Sequence, residues 1–406
     1  MEKKNNMAGT MAGVLKQYTM LIALIAVVGV FEILIQIMGR GSIFLPANVS
    51  NLIGQNGYVV VLATGMLLCI LSGGNIDLAV GSVVALIGAL GGKMMITFKV
   101  NIYVTVLVCL LMGIAIGAFQ GALIAYLRIP AFIVTLAGML IFRGIAWVIL
   151  QGQTLGPFPD KYLSYFNTFI PKVEGVSTDP AVKQRVWLVS MIIGIIACLV
   201  VIGARVFTMV SRARKGYKDE NWQIIVNIVV TVISCVAIMF LVERLGENKG
   251  IPIITILLLV VVAGYSYFTS KTVPGRYLYA MGGNEKAARL SGINTDNVLF
   301  AAYVNMGFLS AVAALMCVAR FNSAAPSAGT NYEMDAIASC YIGGASAYGG
   351  VGVVSGAVIG AIFMGVLNNG MSILGWPSDW QRVIKGVVLL VAVIFDVLSR
   401  RRKQAS

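Results

Sequence analysis

The chain has 406 residues, of which 59% are hydrophobic and 11% charged, against the roughly one-quarter charged residues of soluble domains; with a mean hydropathy of +0.90, this excludes an ordinary soluble domain. The formal charge is +14, but Lys and Arg gather in particular loops instead of forming an aromatic-interleaved stripe, a pattern that orients membrane helices and excludes a nucleic-acid partner. Histidine is absent, which removes the commonest general base and metal ligand, and the six cysteines (Cys69, Cys109, Cys198, Cys235, Cys317, Cys340) stand singly in apolar runs, indicating neither a metal site nor a disulfide framework.

The apolar runs reach 18 or more residues, the length that crosses a ~30 Å hydrocarbon core, and they lack the alternation of barrel strands. The expected fold is an all-α polytopic membrane protein. Residues 1–17 read as a polar cytoplasmic tail with Lys3, Lys4 and Lys16, ahead of an apolar stretch at 18–38 that is too long for a cleaved signal and is read as a retained first helix. Further candidate spans lie at 56–72, 77–97, 102–127, 131–150, 186–208, 222–242, 251–269, 298–319, 335–348, 351–370 and 380–399. Those at 56–72 and 335–348 are short, so they are expected to be tilted, broken or re-entrant, which protein or a water-filled cavity must surround. About ten true crossings, and at most about twelve, are expected. They form one transmembrane domain over 18–399, followed by a tail at 400–406.

Alternating the spans gathers Arg128, the charged turn at 211–221, the loop at 270–297 and the basic tail on one side, which the positive-inside rule makes cytoplasmic together with both termini. The segments 39–55, 151–185, 243–250, 320–334 and 371–379 then lie outside. A weak internal echo relates Cys69–Asp77 and the Gly-rich run after it to Cys340–Ser346 and the Gly-rich run after that. It marks either a repeat with interrupted helices or the small residues that tightly packed membrane helices need.

The chain has no G-x-x-x-x-G-K-[ST] phosphate loop, so any ATP chemistry belongs to another polypeptide. The loop at 270–297 is where such a polypeptide would engage. Gly282-Gly283 permits a sharp turn, Asn284 is a good N-cap for Glu285–Leu290, and Glu285 favours the positive helix end. Ser291-Gly292 supplies the stop, and Ala287 and Ala288 are small enough for close approach of a partner.

The stretch Gly275-Arg276-Tyr277 through Gly282-Gly283-Asn284-Glu285 to Ser291-Gly292 closely resembles the coupling loop of permease subunits in bacterial ABC monosaccharide importers of the ribose/galactose/xylose type. Four further segments match that family in order: Ser72–Ser82, Pro130–Met139, Pro326–Gly352 with Glu333-Met334-Asp335, and Leu367–Met371 before Trp380. Asn75 and Ala79 depart from its usual pattern. The length and the polar turn near 211–221 look most like the xylose and multiple-monosaccharide branch. The resemblance implies a homodimeric permease core in the bacterial cytoplasmic membrane, two ATPase subunits inside and a soluble sugar-binding protein outside. It also implies that this chain is not itself an enzyme and binds no cofactor.

On that reading Arg276, Gly282, Gly283, Asn284, Glu285, Ala287, Ala288, Arg289, Ser291 and Gly292 couple to the ATPase. Polar or aromatic groups costly in lipid become candidates for the translocation path: Asn75, Asp77, Phe132, Arg143, Asn305, Asn368, Asn369 and Trp380. Asp77 equally suits a cap for a helix beginning at Leu78, and Arg143 equally suits an ion pair with Asp77. Phe132 and Trp380 equally suit interfacial anchors. Glu333 and Asp335, read as external, would receive the binding protein. The competing reading is a secondary transporter driven by an ion gradient, which would act alone and would ordinarily carry an acid or histidine relay in its spans.

Overall fold

The computed structural model describes residues 2–172, 179–214 and 221–404, with side chains described from Met20 onward apart from 213, 221–223, 395 and 398–404. The basic turn at 215–220 lies outside the described residues. Apolar sequence and a solvent that cannot hydrogen-bond leave helices as the natural spanning element, and helices dominate. In chain order they are α1 (Glu2–Ile37), α2 (Pro46–Leu71), α3 (Val80–Gly92, prolonged by a π-turn at Lys93–Thr97), α4 (Ile102–Ala125) and α5 (Ala131–Leu150). A short α6 (Asp160–Asn167) follows, then α7 (Pro180–Arg214), α8 (Asn221–Asn248), α9 (Ile254–Lys271), α10 (Val273–Gly283) and α11 (Glu285–Leu290). The last four are α12 (Thr295–Phe321), α13 (Tyr332–Ile342), α14 (Val354–Ile373) and α15 (Ser378–Gln404). Two-residue strands β1 (Phe169–Ile170) and β2 (Ile251–Pro252) pair antiparallel, Phe169 opposite Pro252.

Ten of the described helices are long and apolar enough to cross a membrane. Several expected boundaries change. The span read as 56–72 is a full helix of 26 residues that begins at Pro46, because Asn48, Asn51, Gln55 and Asn56 hide its first turns from a hydropathy reading. The span read as 335–348 is α13, only 11 residues long, which at 1.5 Å per residue reaches about half-way through a ~30 Å core. At the N-terminus α1 continues back through the stretch read as a tail to Glu2.

Antiparallel α2 and α12 form the centre. Asn51 near the start of α2 faces Arg320 near the end of α12 (3.5 Å), while Cys69 lies against the Ala302 carbonyl. Along the inner half of α2, side chains from Val59 to Leu71 are almost all buried. α4 crosses α12 where Gly113 and Gly307 face each other, and a Cβ on either glycine would strike the opposing backbone. Small residues thus substitute dispersion contacts between backbones for a hydrophobic drive that lipid cannot supply.

The halves around this pair run in opposite senses. After α2 the chain turns back at Ser72–Ala79, so that the Asp77 amide sits beside the Met66 sulfur (3.5 Å), and α3 starts from within the bundle. After α12 it likewise re-enters at 322–331 and α13 starts from within. The starts of α3 and α13 meet: Gly81 lies so close to the Gly329 carbonyl that neither glycine could carry a Cβ. From there α3 runs toward the Arg320 end and α13 toward the Gly282 end. The unit α2–α5 is therefore repeated, inverted, by α12–α15. This is not the echo suggested by sequence, whose two members occupy non-equivalent places in the repeat. Gly73 and Gly349 are instead in close contact, and the Gly350 amide donates to the Leu71 carbonyl (3.1 Å), so close packing explains those glycines.

Candidate functional site: a half-helix junction and a surface helix

The inner site is built where α3 and α13 begin. Asp77 is buried and accepts from the Ala79 amide (2.8 Å), three residues ahead of a helix that starts at Val80 and not at Leu78. Glu333 and Asp335 are 6% and 1% exposed. This corrects their placement on an external loop: the 322–331 segment carries them into the interior, in the first turn of α13, where the positive helix end favours carboxylates. Buried there, they offer no surface to a soluble protein. Asp335 is held from both sides, by Lys385 Nζ of α15 at 2.9 Å and by the Tyr58 hydroxyl, which donates at 3.0 Å. Tyr58 stacks on Tyr332 with ring centroids 3.8 Å apart. Arg143 of α5 makes no ion pair with Asp77; its guanidinium donates to the carbonyls of Pro326 (3.1 Å) and Ala328, clamping the re-entrant segment.

The eight path candidates do not converge. Asp77, Arg143 and Asn368 belong to the junction, Asn368 approaching Asp335 at 3.5 Å. Asn75 donates to the Ser72 carbonyl (3.0 Å) within the first re-entrant turn. Asn305 accepts from the Tyr265 hydroxyl and borders a separate, largely apolar cleft of about 670 Å3 between α9, α10 and α12. Asn369 ties α14 to the Asn48 carbonyl (3.2 Å). Phe132 and Trp380 are exposed at the starts of α5 and α15, on opposite ends of the bundle. Tyr58 and the Lys385–Asp335 pair are the parts sequence reasoning missed, since nothing in the order of residues joins positions so far apart.

The outer site is the loop after α9. Thr272 caps α10, accepting from the Gly275 amide (3.2 Å), and the Tyr279 hydroxyl donates to the Gly352 carbonyl (2.8 Å). Gly282 touches Leu71 and Gly350 backbone so closely that a Cβ has no room. α10 is thereby fixed to the core, and α11 projects beyond it. Asn284 caps α11 by accepting from the Ala287 amide (3.0 Å), and Gly292 ends it at φ +86°. Arg276, Gly283, Asn284, Ala287, Arg289, Ser291 and Gly292 are exposed, Gly282 and Glu285 half-buried. Ala288 is buried, contrary to expectation, because the side of α11 facing the protein needs an apolar contact of its own. Leu290 is 90% exposed, an apolar side chain the sequence reading passed over.

Four charged side chains brace α11. Arg128, in the α4–α5 corner at φ +57°, reaches Glu285 at 3.1 Å and also Asp296. Arg289 reaches the same two carboxylates, each at 3.1 Å, and the Thr295 hydroxyl at 2.8 Å. The Arg128 hydrogen bond, with further help from Thr295 and Arg289, holds the Glu285 carboxyl below its ordinary range against a smaller opposing effect of burial.

Residues 48–393 match the family described as the permease component of the branched-chain amino acid transport system. The chain belongs to that permease family. It is 35% identical to the xylose transport system permease protein XylH of Escherichia coli K12 over 362 residues, covering 89% of this chain and 88% of the relative. It is 34% identical to XylH of Haemophilus influenzae, over 96% of this chain and 98% of the relative. Against the ribose import permease protein RbsC of E. coli K12 it is 32% identical, over 93% and 92% of the two chains. No solved structure matches the chain. A permease of this family is the membrane-spanning transport subunit of an ABC importer.

Proposed function

We propose that this chain carries a monosaccharide, a pentose such as xylose or a related sugar, inward across a bacterial cytoplasmic membrane. ATP is hydrolysed by a separate cytoplasmic ATPase that docks on α10–α11. Two permease copies form the conduit, and a soluble sugar-binding protein delivers substrate at the Arg320 end. The relatives named for xylose and ribose support the substrate class. The observation that carries the docking assignment is α11 itself: a doubly capped helix of six residues on a fixed base, presenting Leu290 to solvent. An exposed large apolar side chain rimmed by charge is what a partner's pocket takes up. The gathering of Arg128, Lys271, Arg276, Lys286 and Arg289 about this end supports its assignment to the cytoplasm together with both termini. The re-entrant junction, where Asp77, Arg143, Asn368 and the α3 and α13 starts come together, is assigned to the translocation path, since irregular backbone at membrane depth belongs beside a cavity or within protein.

Reconstitution tests this reading. Purified chain in liposomes is expected not to accumulate sugar from a proton or sodium gradient, while chain, ATPase and binding protein together give sugar-stimulated ATP hydrolysis and uptake. Leu290→Ser is expected to lower co-purification of the ATPase without altering the chain's own thermal midpoint. Uptake by the isolated chain would return the assignment to the ion-driven class.

A further inference from the structure

The brace around α11 reaches a corner of the chain far from it in sequence. Arg128 belongs to neither α10 nor α11: it occupies the turn between α4 and α5, in a left-handed backbone conformation, and its side chain crosses to Glu285 and Asp296. Three residues later α5 begins, a run of 20 residues that spans about 30 Å. At its far half Arg143 grips the carbonyls of Pro326 and Ala328, the segment that introduces α13. A continuous mechanical line therefore runs from α11 through Arg128 and α5 to the half-helix junction. The second guanidinium in the brace, Arg289, lies on α11 itself, so its contacts with Asp296 secure α11 to α12 but reach nothing in α5. Among the described residues, the ion pairs that join α11 and the start of α12 to the α4–α5 corner are those of Arg128.

We propose that Arg128 is the positioning residue that transmits displacement of the docking helix to α5 and the inner junction. This rests on α11 being the ATPase docking helix. A guanidinium suits such a link because its planar fork engages two carboxylates on two elements at once, which a lysine's single ammonium does less well. The groups it joins are partly solvent-exposed, with side-chain exposures of 46% for Arg128, 43% for Glu285 and 34% for Asp296, so the brace adds little to stability and can re-form at each turn of the cycle.

The test uses the full assembly of permease, ATPase and binding protein in proteoliposomes. With Arg128→Ala, the ATPase is expected to co-purify and hydrolyse ATP as before, while sugar taken up per ATP falls at least about fivefold, the lower end of ordinary coupling between sites. Arg128→Lys is expected to recover part of the loss. In parallel, a cysteine placed in α5 by Gly144→Cys, where the structure leaves open space, is expected to change its labelling rate with ATP in the parent protein and to stop doing so with Arg128→Ala. Should the Arg128→Ala chain itself fail to fold, Asp296→Asn, which removes one of the two Arg128 ion pairs, is read in the same two ways with a smaller expected loss. Unchanged uptake per ATP and unchanged ATP-dependent labelling overturn the proposal, as does loss of the ATPase from the purified complex, which makes Arg128 a docking residue. If Leu290→Ser leaves ATPase binding intact, it is the docking assignment that fails, a result independent of the Arg128 ratio.

Discussion

Two of the ion-pair sets among the described residues are made from similar side chains and placed in opposite surroundings. Lys385 and Asp335 meet inside the bundle with side-chain exposures of 18% and 1%, whereas Arg128, Glu285, Arg289 and Asp296 meet at its surface with exposures from 34% to 52%. Solvent decides what each can do. Breaking a buried pair leaves an unpaired charge in low dielectric and costs about 3–5 kcal/mol, while an exposed pair contributes about 0–1 kcal/mol. The inner pair therefore holds the position of α13 against α15. The outer set can be broken and remade within the energy of a docking event, which is what a coupling surface requires.

The sharpest way to break the comparison is at Lys385. Lys385→Met is expected to lower stability by about 3–5 kcal/mol, read as the unfolding midpoint in detergent, because Asp335 then keeps only Tyr58 and the distant Asn368. Adding Asp335→Leu is expected to restore most of that loss, since a well-packed apolar pair replaces a buried ionic one at little cost. A neutral single variant would mean that the carboxylate does not depend on its lysine, and the distinction between the two regions would go with it.

Gly282→Val comes next. Its Cβ has no space between the Leu71 carbonyl and Gly350, so α10 must shift off its base at an overpacking cost of about 1–3 kcal/mol. Because α10 carries α11, the effect is expected in both stability and sugar-stimulated hydrolysis. Gly283→Val, one residue on with nothing within 4 Å of the added carbon, is the matched control and is expected to leave the stability loss well short of that at Gly282. Equal losses at the two positions would show that α10 is not fixed to the core at this point.

Which of these features could be read in advance follows from where their partners lie along the chain. The caps of α11 were legible because capping is local: Asn284 bonds an amide three residues on, and Gly292 stops the helix within the same short stretch. The number of apolar spans was legible because bilayer thickness imposes a length. The re-entrant 322–331 segment was not. Its Ser, Asn, Pro and Gly residues have the composition of a surface loop, and what keeps it inside is Arg143, about 180 residues away in sequence, as its contacts with Pro326 and Ala328 show. That misreading carried Glu333 and Asp335 outward with it. Arg128 was read only as an orientation charge for a related reason, its carboxylates lying 157 and 168 residues further on. Even the inverted repeat left no usable trace, because what the halves share is direction and interruption, and neither dictates side chains.

The smallest expected effect is the most diagnostic of the outer set. Glu285 has its carboxyl held below the ordinary value, chiefly by Arg128, so the folded state favours the ionised form. Stability from this group is then fully present above the unfolded value of about 4.3, and it is lost as the pH falls through the lower folded value. Comparing the parent protein with Glu285→Gln isolates the group from Asp296, which titrates in both. The parent is expected to be more stable at pH 6 by no more than about 1 kcal/mol in low salt, and the margin is expected to shrink toward zero as the pH is taken well below about 4. High salt should shrink it at pH 6 as well, since exposed pairs are screened beyond about 8 Å at physiological ionic strength and more closely above it. A margin that survives both acid and salt would place Glu285 in the energetic class of Asp335, and the brace could no longer be a contact that a docking partner exchanges at low cost.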